Sequence, residues 1–126
     1  MKALLDTNIL IDYLNGIPQA KHEIDSYPKP LISIITWVEV LVGATPEDEA
    51  TIRGFLSRFQ VIALTAVIAE NAVLIRRQSK IRLPDAIIQA TAQVEKVLLV
   101  SRNTKDFPEN AQWVRIPYKL HPDKIH

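Results

Sequence analysis

Four acids stand at the edges of apolar runs in this chain. Asp6 ends the opening run MKALLD, with Thr7 and Asn8 directly behind it. Glu39 lies inside ITWVEV, Asp85 follows Leu83 and Pro84, and Asp106 closes SRNTKDF three residues after Asn103. Carboxylates brought close together repel and raise one another's pKa. A divalent cation relieves that conflict, and hard oxygen donors with positions left open for water suit Mg2+ or Mn2+. Such an ion lowers the pKa of a bound water, making a nucleophile, and stabilises charge on a phosphoryl oxygen. Asn8 and Asn103 are neutral groups able to orient ligands or waters. Composition points to the same class of metal. There is no cysteine, and the three histidines are scattered at 22, 121 and 126, so neither a thiolate site nor a His-rich zinc centre is expected.

Each acid also has an ordinary structural role open to it. Thr36-Trp37-Val38-Glu39 is a capping box, in which Glu39 reaches back to the Thr36 backbone. Asp6 or Thr7 can serve as an N-cap. Asp85 complements a helix dipole just after Pro84. Asp106, before Phe107 and Pro108, fits turn chemistry. The metal reading rests on the acids acting together, so the elements that position them matter.

Those elements alternate. Residues 2–5 read as a buried strand, and Ile9, Leu10, Tyr13 and Leu14 have helical spacing until Gly16 and Pro18. A short polar helix is expected at 19–26 and a second strand at 31–35. Thr36 is expected to begin a helix, and Pro46 to open another that reaches residue 59. A strand at 61–64, a helix from Thr65 to about Ser79 and a helix from Pro84 follow. Strands at 97–100 and 113–116 complete the pattern, and the tail 121–126 is expected to be loosely ordered. Short apolar strands alternating with helices predict an α/β fold with three layers, α/β/α, around a central, mostly parallel sheet of four to five strands. Ligands of such a sheet bind beyond the carboxyl ends of its strands, the edge to which all four acids are delivered.

The 126 residues fit one domain, expected over 1–120, and 48% hydrophobic content allows a real core. No apolar run approaches the ~18 residues a membrane helix needs. No signal peptide is expected, and the lack of cysteine suits a reducing cytoplasm. Net charge is +1, too small to announce a nucleic-acid binder by field alone. The bases are nevertheless grouped, with Arg76, Arg77, Lys80 and Arg82 in one set and Arg102 and Lys105 in another. They read either as solvated faces or as phosphate contacts along a nucleic-acid backbone.

Four blocks carry a family resemblance: LLDTNILIDYL, ITWVEVLVGA, RLPDAIIQATA and LLVSRNTKDF. In this order they resemble the PIN-domain ribonucleases, and most closely the VapC-like toxins of toxin–antitoxin pairs. With the helices between them they span nearly the whole chain. The resemblance implies a PIN-like fold and a Mg2+- or Mn2+-dependent endoribonuclease. It places Asp6, Glu39 and Asp85 at the first three acidic positions, as metal ligands. Asn103 stands at the fourth position, where the family often has an acid, and Asp106 lies one helical turn later. Thr7 and Asn8 would support Asp6. The resemblance also implies a homodimer silenced by a cognate antitoxin.

Two rivals remain open. A phosphoryl-transfer domain also uses an Asp at the end of its first strand, but needs a well-placed Lys, for which Lys105 is the one candidate. A PIN-like module that binds RNA or a partner without cutting would account for Asn103. Phe55, Leu56 and Phe59 form an apolar strip that is either core or, where exposed, a groove for a helical partner segment.

Overall fold

The computed structural model describes residues 2–120, so the expectation for the tail at 121–126 lies outside the described residues. Five short strands form one sheet: β1 (Ala3–Leu5), β2 (Leu31–Ser33), β3 (Gln60–Ile62), β4 (Leu98–Val100) and β5 (Val114–Arg115). Their order is β3-β2-β1-β4-β5, and each neighbouring pair is parallel. The helices are α1 (Thr7–Leu14), α2 (Pro18–Asp25), α3 (Ile34–Val42), α4 (Glu49–Leu56), α5 (Ala66–Gln78) and α6 (Leu83–Glu95). The expected α/β class and parallel sheet are therefore present, with element ends differing from expectation by one to three residues.

Side chains alternate across the sheet and build a core on each face. Ala3, Leu5, Ile32 and Val100 point to one face, where Ile9, Leu10, Ile24, Val40 and the α4 residues pack. Leu4, Leu31 and Leu99 point to the other, against Ala86, Ile88 and Ala92 of α6 and against Phe107. α5 adds Ile68 and Ala72 outside α6. Strands buried on both faces need no polar alternation, which is why LLV and ALL are continuous apolar runs. Phe55, Leu56 and Phe59 belong to the first core. Phe55 stacks on Tyr13 with ring centroids 4.5 Å apart and meets Phe59 edge-on at 5.2 Å. The apolar strip of α4 is thus core, and the partner-groove reading of it is set aside.

Local caps fix where the helices begin. Ser33, the last residue of β2, accepts a hydrogen bond from Ile35 N at 3.1 Å and starts α3. The expected capping box from Thr36 to Glu39 therefore does not form. Thr36 lies inside the first turn, fully buried, and its hydroxyl is free for another use. Thr65 caps α5 as expected, accepting from Ile68 N at 3.2 Å.

The connections create a crevice. From β1 the chain moves to β2 on one side and later returns to β4 on the other. Beyond the carboxyl end of β1 the two halves of the sheet diverge, which is where open α/β sheets bind ligands. Asp6 stands at this point, its backbone N–H donating to Val100 O at 2.8 Å.

Candidate active site

Three elements meet in the crevice. Asp6 follows β1, Glu39 sits in the second turn of α3, and Asp85 lies in the first turn of α6. Together with Thr7, Asn8, Ile11, Arg82, Arg102 and Asn103 they line one cavity of about 240 Å3. Acids 33 to 79 positions apart in sequence thus line one cavity at the carboxyl edge of the sheet. Asp106 is outside this lining, but its carboxyl lies near enough to Asp85 to perturb it. Of the grouped bases, Arg82 and Arg102 reach the cavity wall, whereas Arg76, Arg77, Lys80 and Lys105 do not.

The Asp6 carboxylate is buried and held from three sides. Oδ1 accepts the Thr7 N–H at 2.7 Å, and Oδ2 accepts Ser101 Oγ at 2.7 Å and Asn8 Nδ2 at 3.2 Å. Asp6 is therefore also the N-cap of α1, so its structural and chemical roles coincide. Thr7 turns its hydroxyl the other way, donating to Glu39 Oε1 at 2.7 Å and lying 2.9 Å from Thr36 Oγ1. The hydroxyl left over by the unformed capping box thus helps seat Glu39. Asn103 and Asp106 clasp each other, Asn103 Nδ2 donating to Asp106 Oδ2 at 3.0 Å and Asp106 N to Asn103 Oδ1 at 3.2 Å.

Burial is the main electrostatic fact. It pushes the Asp6 carboxyl up from 3.8 to about 6, with the Asp85 and Glu39 charges adding to the rise and the Ser101 and Thr7 hydrogen bonds opposing it. Asp85 is raised as well, first by burial and then by Asp106, while Arg82 opposes. Arg82 Nε approaches Asp85 Oδ2 at 3.3 Å from a largely exposed side chain. Among the described residues no three acids, histidines or cysteines are placed closely enough to hold one metal ion together. The donor set is nonetheless all oxygen, crowded and under-neutralised, which fits a hard cation that keeps part of its water.

Sequence reasoning missed Ser101 and Asp12. Ser101 Oγ donates to Asp6, accepts Asn103 N at 3.0 Å and lies 3.3 Å from Asn8 Nδ2. A serine at a strand end carries no signal of its own. Asp12 is buried on α1 and takes the Arg102 guanidinium and the Tyr118 hydroxyl. Its only trace in sequence is an acid one turn after Asn8.

A parallel sheet in this order with an acid-lined crevice at the β1 end defines a class. Residues 3–112 match the PIN domain family, and the chain belongs to it. Among curated relatives it is 32% identical over 113 residues to Ribonuclease VapC10 of Mycobacterium tuberculosis, a match covering 83% of this chain and 85% of that one. Among solved structures it is similar to a toxin–antitoxin complex from Klebsiella pneumoniae, with 46% identity, a TM-score of 0.88, and 94% of this chain and 99% of that chain covered. DNA-bound VapBC from Salmonella typhimurium shares the fold at 24% identity, a TM-score of 0.76, and coverage of 91% and 96%.

Proposed function

We propose that this protein is a divalent-metal-dependent endoribonuclease, the VapC-like toxin of a toxin–antitoxin pair. The observation that carries the reading is the convergence of Asp6, Glu39 and Asp85 on one cavity, with Asp6 held there at a raised pKa. A fold that buries like charges together sacrifices stability for chemistry. The likeness to Ribonuclease VapC10 supports the same activity for this chain, and the likeness to the Klebsiella toxin–antitoxin complex supports the same kind of partner.

In this reading Asp6, Glu39 and Asp85 hold Mg2+ or Mn2+. When bound, that ion acidifies a water and neutralises charge on the phosphoryl group. The chain's own residues do the rest. Ser101, Asn8 and the Thr7 amide fix Asp6, and Thr7 Oγ1 fixes Glu39. Asn103, clasped by Asp106, presents a neutral group to the cavity in place of a fourth acid. Arg82 offers a cation to the RNA backbone at the rim, with Arg76, Arg77, Lys80 and Lys105 farther out. Such contacts give affinity without sequence preference, so the choice of RNA comes from shape and unpaired loops.

In this reading the partner surface lies away from α4, whose apolar strip is core. Ile11 on the cavity rim, Leu14, Val38 and Val42 are exposed apolar residues of α1 and α3, which pack together, and Val42 is 79% exposed. They suit the apolar face of an antitoxin segment. Val67, Val73 and Leu74 expose apolar surface on α5 and offer a face to a second copy. A ribonuclease of this kind would act in the cytoplasm, where its RNA is. Among the described residues no helix is long and apolar enough to cross a membrane.

The test is cleavage of a structured RNA by purified protein with Mg2+ or Mn2+. Cleavage should be lost with EDTA and in Asp6→Asn while the fold survives. RNA left intact by the wild-type protein, with Asp85-dependent Mn2+ binding absent, would leave a non-cutting scaffold.

A further inference from the structure

Asp12 is a buried acid that the proposed chemistry leaves unused. It lies one helical turn after Asn8, on the same face of α1. Both residues face the segment that follows β4. Asn8 Oδ1 accepts Arg102 N at 3.4 Å, and Asn8 Nδ2 lies 3.3 Å from Ser101 Oγ. Asp12 takes the side chain of the same arginine at two points, Nε at 2.5 Å and Nη2 at 2.9 Å. Tyr118 Oη adds a third donor at 2.8 Å. Two successive turns of α1 therefore grip residues 101–102, one through the backbone and one through the guanidinium.

We infer that Asp12 is a positioning residue of the site, setting the 101–103 segment through Arg102, with Tyr118 extending the grip into the C-terminal part of the chain. What the segment carries makes this more than packing. Ser101 holds Asp6, and Asn103, whose amide bonds to Ser101 Oγ, lines the cavity. The grip also takes Arg102 out of the set of phosphate contacts. A guanidinium binds phosphate best through a two-pronged fork, and here Nε and Nη2 are both committed to Asp12. Releasing them would strand a buried carboxylate, which is costly. Arg102, grouped with the RNA-facing bases on sequence grounds, is on this geometry a strut.

The molecule supplies its own control. Glu23 on α2 binds Arg115 of β5 through Nε at 2.8 Å and Nη2 at 3.0 Å, and accepts Tyr27 Oη at 2.8 Å. The chemistry is the same trio of buried acid, arginine and tyrosine, but its arginine side chain stays outside the acidic cavity that Arg102 lines. It meets the 101–103 segment through the Arg115 carbonyl, which accepts Ser101 N at 3.1 Å whatever the charge on Glu23.

The inference rests on the ribonuclease reading, and the experiment separates the two. Full-length wild type, Asp12→Asn, Arg102→Lys, Tyr118→Phe and Glu23→Gln are compared for kcat and KM on a structured RNA hairpin with Mn2+. Exchange of the Arg102 and Asn103 amides is followed by NMR in the same proteins. Asp12→Asn should lower kcat by about 10- to 100-fold, as loss of a supporting partner does, with KM unchanged. The two amides should exchange at least about tenfold faster while those of β4 hold. Arg102→Lys should follow it, and Tyr118→Phe should fall in the same direction by less. Glu23→Gln should lower the melting midpoint and leave kcat intact. A wild-type kcat in Asp12→Asn, or a raised KM with intact kcat in Arg102→Lys, overturns the inference, the latter by making Arg102 an RNA contact. A wild-type protein that does not cut RNA overturns the ribonuclease reading instead. Amide exchange then decides the strut alone, and unchanged rates in Asp12→Asn and Tyr118→Phe sink it.

Discussion

Ser101 Oγ donates to Asp6 Oδ2 at 2.7 Å across 95 positions of sequence, joining the carboxyl ends of β4 and β1. Both groups are buried. The bond favours the charged form of Asp6 against the burial and the neighbouring acids that oppose it. Hydrogen bonds to charged groups contribute about 1.5–3 kcal/mol. Ser101→Ala should therefore leave Asp6 harder to ionise and less well aimed. Cleavage should drop by about 10- to 100-fold, with the rate recovering as pH rises. A flat pH–rate profile in Ser101→Ala, parallel to wild type, would remove this serine from the site.

Asp6 should be a liability to the metal-free fold. Its carboxylate is enclosed and faces Asp85 and Glu39. Asp6→Asn keeps the shape and removes the buried charge. Its one oxygen still accepts from Ser101 Oγ, while its amide nitrogen takes the place of Oδ1, gives up the bond from Thr7 N and offsets part of the gain. In EDTA at neutral pH the variant should be more stable than wild type, by on the order of 1–3 kcal/mol. Added Mn2+ should raise the wild-type melting midpoint and leave the variant where it was. Urea titrations with and without the ion read both effects, and an Asn variant less stable than wild type in EDTA would count against a strained acidic cluster.

Much of this site was legible because each acid adjoins a recognisable apolar run. Asp6, Glu39 and Asp85 are marked by strand ends and helix starts, and a parallel α/β sheet sends those to one edge. Thr36 and Ser33 show where local reading fails. Both have the chemistry of a cap, and only the length of β2 decides that Ser33 takes the role and Thr36 turns toward Thr7. The supports of the acids were hidden for a related reason. Ser101 and Asp12 act across the sheet on partners more than 85 positions away, and no local spacing records such a contact. Phe55 and Phe59 had the right spacing for either a groove or a core, and the stacking of Phe55 on Tyr13 settles it as core.

The Glu23–Arg115 pair gives stability a pH dependence of known sign. Burial works to raise the Glu23 carboxyl, but the hydrogen bonds from Arg115 and Tyr27 and the Arg115 charge outweigh it and hold it below the ordinary 4.5. A carboxyl lowered by folding stabilises the protein above its unfolded pKa, and that contribution fades as pH falls through the folded value. Glu23→Gln should thus cost about 1–3 kcal/mol at pH 7, a range set low because the Arg115 side chain is half exposed. The gap between variant and wild type should narrow below pH 4.5 and close in stronger acid. Chemical denaturation at pH 7 and at successively lower pH measures it, and a gap that stays constant would mean the pair contributes shape without charge.

Arg82 should show opposite effects on the two ligands of the cavity. Its Nε lies 3.3 Å from Asp85 Oδ2, yet most of the side chain is in solvent. Without metal it partly neutralises Asp85, so it competes with a cation for that carboxylate. With RNA present the same guanidinium is free to meet phosphate at the rim. Arg82→Ala should therefore bind Mn2+ more tightly, by about two- to tenfold given the weak coupling of exposed charges. RNA binding, measured in an Asp6→Asn background to prevent cutting, should weaken, and the salt slope should shrink by about one. Calorimetry with Mn2+ and RNA titrations at several salt concentrations separate the effects. Loss of Mn2+ affinity in Arg82→Ala would show that the arginine organises Asp85 for the ion, and an unaltered salt slope would take it off the RNA path.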